Sequence, residues 1–141
     1  MNQTPIQMSS ILQMNRDFMT TPQTVLCGKY ELVVAELSHG ENGPELKNPL
    51  LAGFAVQFEG DSHYVVRLSM FPGIPYYLSK NRSSQTQFTL FGKLVKDPET
   101  YAIHFQNPIG SGKLINETKS HIEIRLPLLG TSVFMNLFSR L

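Results

Sequence analysis

The chain has one cysteine, no tryptophan and no apolar run approaching the length of a membrane-spanning helix. A single thiol excludes an internal disulfide. Cys27, set between Leu26 and Gly28, is expected to be a small buried apolar residue rather than a nucleophile. A spanning helix needs about 18 or more consecutive apolar residues, so none is expected. The opening "MNQTPIQMSSILQMNRDFM" has neither a basic start nor a continuous apolar core. It does not read as a secretory signal, and the expected location is intracellular.

Charge is scarce as well, at 16% Asp, Glu, Lys and Arg against a usual figure of about 25%. That composition, with abundant Gln, Asn, Ser and Thr, disfavours both a salt-bridged helical bundle and a disordered chain. The net charge of +1 points to no polyanionic partner. Its distribution is uneven, however. Residues 1–61 hold seven acids and three bases, and residues 62–141 hold four acids and nine bases.

Catalytic signatures are missing too. No GxSxG, no HExxH and no Cys–His set occurs, so no catalytic residue is assigned and an enzyme is not expected. The stretch "NPIGSGKLINETKS" after "TYAIHF" has the outline of a phosphate-binding loop. Asn107 stands at the first glycine position, Leu114 replaces the magnesium-binding hydroxyl, and strand-like alternation follows where a helix is needed. We read Gly110 and Gly112 as a flexible loop joining two strands. His39, His63, His104 and His121 show no metal-ligand spacing within one element. No metal and no cofactor is expected.

What is present is strand pattern. Residues 1–8 read as a flexible N-terminus and 9–141 as one β domain. Ile11, Leu12, Met14, Phe18 and Met19 after a Ser9 or Ser10 cap predict a short helix, ended before Pro22. "TVLCGKYELVVAEL" then reads as strand and "SHGENGPELKNP" as a turn-dense linker. "LAGFAVQFEGDSHYVVRLSMF" reads as a hairpin, and "PGIPYYLSKNRSSQT" as a loop with a short edge strand. "QFTLFGKLVKDPETYAIHFQ" reads as a hairpin turning at Asp97-Pro98, and "HIEIRLPLL" as strand. "TSVFMNLFSRL" fits a strand or a closing helix. Six to seven short strands with no helices between them predict an antiparallel β-sandwich or small barrel carrying a short N-terminal helix.

Period-two alternation assigns faces. Tyr64, Val66, Leu68, Phe88, Leu90, Leu94, Tyr101, Ile103 and Phe105 are expected inward. His63, Arg67, Phe91, Lys93, His104 and Arg125 are expected outward.

Two segments resemble known families. "FPGIPYYLSKN" is similar to the second metal motif of cupins, with Tyr76 standing where the ligand His would be and no HxH upstream. That likeness implies a metal-free barrel. "FTLFGKLVKDPET" resembles the opening strand of bacterial single-stranded-DNA-binding proteins through Phe88, Leu90, Gly92, Leu94, Asp97, Pro98 and Glu99. It implies an OB-like nucleic-acid binder using Arg67, Phe91, Lys93, His104 and Arg125, although only 42 residues follow Glu99.

The primary expectation is a soluble, non-catalytic module for protein–protein contact or self-assembly. A protein partner or a second copy would engage it through Tyr76, Tyr77 and Phe134. The nucleic-acid binder is the first alternative, and a small enzyme or ligand-binding barrel the second.

Overall fold

We describe the protein from a computed structural model, which places residues 25–41, 43–115 and 120–141. The helix expected from Ser9 and the stretch 1–8 lie outside the described residues. Eight antiparallel strands close into an up-and-down barrel. They are β1 (Leu26–Gly40), β2 (Gly43–Phe58), β3 (Tyr64–Leu68), β4 (Pro75–Lys80), β5 (Gln87–Lys96), β6 (Ile103–Ile115), β7 (His121–Leu126) and β8 (Thr131–Asn136). A 3-10 turn at Pro127–Leu129 joins the last two.

The barrel is the closed form of the expected antiparallel architecture, and it has more strands than the sequence suggested. "SHGENGPELKNP" is not a linker: β1 and β2 pair through it, from Leu26↔Phe58 to Gly40↔Gly43. "PYYLSK" is a full strand, paired with β3 on one side and β5 on the other. "TSVFMN" is strand β8, not a helix.

The glycine-rich segment is the clearest correction, since β6 runs straight through it. Gly110 pairs with Leu90 and Gly112 with both Phe88 and Ile124. A side chain on Gly112 would come within 3.1 Å of Phe88 and 3.3 Å of Ile122 and Leu78. Glycine here leaves the lumen to large neighbours, the small-against-large alternation that a narrow barrel requires.

Those neighbours form the core. Leu32, Val66, Leu78, Leu90, Ile122, Ile124 and Met135 are almost wholly buried and come from β1, β3, β4, β5, β7 and β8. Each such side chain contributes about 1.5–3 kcal/mol of burial. Outward positions carry charge: Arg67, Lys113, Glu123 and Arg125 alternate with inward apolar residues, where a lipid-facing strand would be apolar. No helix among the described residues is long and apolar enough to cross a membrane.

Closure is uneven. β1 and β2 pair along their whole length, but β3 joins β2 only from Gly53 to Val56, and β8 joins β1 only at Leu32 and Val33. The distal part of the β1–β2 ribbon, from Val34 through Leu50, therefore has no lateral strand partner among the described residues. Gly53 sits where β2 and β3 first meet. Its positive φ and the close approach of the Arg67 carbonyl leave no room for a Cβ.

Cys27 is exposed, against expectation. A register shift between Leu26 and Gly28 leaves Gly28 as the buried residue and turns the thiol toward Gln57 Oε1, 4.0 Å away.

Candidate functional site

In an up-and-down barrel the odd-numbered strands all finish at one end. There Leu68, Phe71 and Tyr76 of β3, its following loop and β4 face Leu126, Leu128 and Leu129 of β7 and the 3-10 turn. Leu90 and Ile109 form the floor of a cavity of about 240 Å³. Every one of these lining residues is apolar except for the tyrosine hydroxyl.

The rim is exposed and apolar as well. Leu128 is 90% accessible, Met70 71% and Ile74 47%. Gly130, left-handed at φ 63°, ends the 3-10 turn by donating its N–H to the Pro127 carbonyl. The turn is thus held by its own backbone while Leu128 points away from the core. Polar residues are the usual choice in such connections. An apolar pair in "PLLG" was the signal available in the sequence, and reading "HIEIRLPLL" as one strand concealed it.

A second constellation lies on the outer wall. Beyond Leu90 a register shift breaks the β5–β6 pairing, and Asn107 takes a left-handed φ of 62° opposite Gly92. A Cβ on Gly92 would meet the Asn107 side-chain amide at 2.7 Å, so a larger residue at this bend would have to displace that amide. Past it the ribbon returns over β3 and β4. Phe105 stacks on Phe91 at 5.3 Å and meets His63 edge-on at 5.2 Å and Tyr77 at 6.3 Å.

His63 consequently points outward and is still only 6% exposed. Burial holds its pKa below the ordinary histidine value, and Asp61, with a carboxylate oxygen 3.9 Å away, partly opposes this. Tyr101 and Ile103 were expected inward, but both lie exposed on the outlying ribbon. Leu94, also expected inward, is half-buried there and takes no part in the core.

The structure separates the residues singled out from the sequence. Tyr76 lines the mouth, while Tyr77, the next residue along the strand, faces the outer wall beside His63. They do not form one patch. Phe134 is 4% exposed, paired with Val33 and Glu123, and so presents little surface to a partner.

Of the basic and aromatic set, Phe91, Lys93 and His104 share the β5–β6 ribbon, but Phe105 already covers one face of the Phe91 ring. Arg67 projects from β3 and Arg125 from β7. Four strands apart in an eight-strand ring, they point to opposite sides of the barrel. The flat basic face that alternation alone suggested is divided by curvature.

His104 and His121 lie on β6 and β7, and burial lowers the pKa of His121. Among the described residues no three His, Cys, Asp or Glu side chains gather as metal ligands. A scan against protein-family models and searches of curated proteins and of solved structures find no match to this chain.

Proposed function

We propose that this protein is a non-catalytic binding module that receives apolar side chains of a protein partner in the open mouth of its barrel. The observation that carries this reading is the exposed leucine pair, Leu128 and Leu129, standing over a cavity with an apolar lining. Exposed apolar surface around a concavity is a feature of interaction sites.

Size favours a side chain over a free small molecule. About 240 Å³ falls short of the roughly 300–1,000 Å³ of sites that enclose drug-sized ligands. It suits one or two Leu- or Phe-sized groups presented by a larger partner. Leu78, Ile122, Ile124 and Met135 are buried in the lumen, so the occupant would enter from the end.

The test is an amide-resonance titration of the full chain with short peptides carrying Leu or Phe, alongside matched polar peptides. Shifts concentrated at Phe71, Tyr76, Ile109, Leu126, Leu128 and Leu129 are expected for the apolar peptides alone. Shifts scattered over the outer wall, or none, would remove the reading.

A further inference from the structure

We infer that the partner is a second copy of this chain, whose β1–β2 ribbon seats Leu50 and Leu51 in the mouth. This inference rests on the mouth reading above and names its occupant.

Three observations converge. The ribbon beyond Val33 lacks lateral strand partners among the described residues, and at its base Leu50 and Leu51 are 68% and 57% exposed. Neighbours along a strand face opposite ways, so Leu50 and Leu51 present apolar surface on both faces of the ribbon at this point, although Val34 opposite Leu50 packs against the core. An apolar segment and an apolar cavity are therefore both open on the same molecule.

Charge matches the two surfaces. Glu36, Glu41 and Glu45 are exposed on the part of the ribbon from Val34 to Leu50, where Lys47 is the one lysine or arginine among the described residues. Arg67 and Arg125 are exposed on opposite flanks of the barrel, each immediately preceding a residue that lines the mouth. The uneven charge of the chain thus separates in space into an acidic arm and a basic-flanked receptor, and complementarity of this kind fixes orientation.

Geometry closes the assembly. Ribbon tip and mouth lie at the same end of the barrel, because β1, β3 and β7 all finish there. A two-fold axis at that end lets each copy give its ribbon and receive the other's. The result is a closed dimer rather than an open chain of copies.

The experiment is sedimentation velocity on the full chain over a wide concentration range, with Leu50→Glu in the ribbon and Leu128→Glu at the mouth. Both positions are exposed, and circular dichroism checks that each variant folds. The wild-type chain is expected to dimerise, and each variant to weaken the dimer by more than tenfold. Mixing the two variants is expected to restore association, since one intact ribbon then meets one intact mouth. A wild-type chain that stays monomeric, a dimer indifferent to both substitutions, or a mixture that fails to associate each overturns the inference. The peptide titration repeated on the Leu50→Glu chain separates the two ideas. Mouth shifts there with a monomeric wild type sink the second copy and keep the mouth; silence there sinks the mouth itself.

Discussion

The ring of Phe105 meets that of His63 edge-on at 5.2 Å, tying the far part of the β5–β6 ribbon to the turn that leads into β3. Neither residue belongs to the lumen. Together with Tyr77 and Phe91 they make a small apolar cluster on the outside of a barrel whose inside is already packed.

Removing the ring should free the ribbon without opening the barrel. Phe105→Ala is expected to cost about 1–2 kcal/mol, the burial and ring-contact value of a half-covered aromatic. Hydrogen exchange should speed up at 92–96 and 103–107 and stay slow at Leu78, Leu90 and Ile124. Uniform acceleration across all strands would show that the ribbon is integral to closure.

The same cluster sets a pH dependence. An unfolded histidine titrates near 6.5, and burial holds His63 below that in the folded chain. Between the two values the unfolded chain binds more protons, so stability falls as pH drops through about 6.5 and levels off below the folded value. His121, lowered by burial, acts in the same direction. Urea midpoints measured from pH 8 to about 5 should decline in wild type and decline less steeply in His63→Gln. Equal slopes would assign the effect elsewhere. Asp97 is held low by the Thr100 and Glu99 backbone N–H groups and responds in a separate, more acidic window.

Gly53 should tolerate nothing larger. A methyl group there meets the Arg67 carbonyl at the start of the β2–β3 pairing. Gly53→Ala is expected to destabilise by about 2 kcal/mol or more, well beyond a compatible Gly-to-Ala change. Gly60 also has positive φ but has open space around it, so Gly60→Ala should cost less. Equal midpoints for the two variants would contradict the crowding at Gly53.

In the lumen, Leu78→Ala and Leu90→Ala each empty a fully buried site and should cost about 2–5 kcal/mol. Leu128→Ser, on an exposed residue, should stay within about 0.5 kcal/mol of wild type by thermal or urea unfolding, yet abolish the peptide-induced shifts at the mouth. A large loss of stability in Leu128→Ser would mean that the leucine serves the fold.

Much of the wall was legible in the sequence, because alternation is a local property. Val66 and Leu68 inward with Arg67 outward, or Ile122 and Ile124 inward, follows from a period of two. The Asp97-Pro98 turn was equally local. Strand extent failed at Gly110 and Gly112, where glycine marks a crowded wall and not a flexible loop. That distinction depends on Leu78, Phe88 and Ile122, which are distant in the chain. The candidate mouth was hidden for a related reason. Leu68, Tyr76, Leu90 and Leu126 each look like ordinary core residues, and only closure of the barrel sets them around one opening. Curvature likewise decided that Arg67 and Arg125 stand apart.

The narrow pairing of β1 with β8, confined to Leu32↔Met135 and Val33↔Phe134, bears on how the barrel is made. Every other neighbour in the ring is also a neighbour in sequence, so seven hairpin contacts can form early across short loops. The last contact must bring together opposite ends of the described chain, and beyond its two ladder pairs it is tied by the Arg140 N–H to the Lys29 carbonyl and the Lys29 N–H to Ser139 Oγ. Folding is therefore expected to zip quickly into a curled sheet and then wait on this seam. In the native protein the same seam should be the first place to part, which makes a cross-link between β1 and β8 the most direct way to slow unfolding.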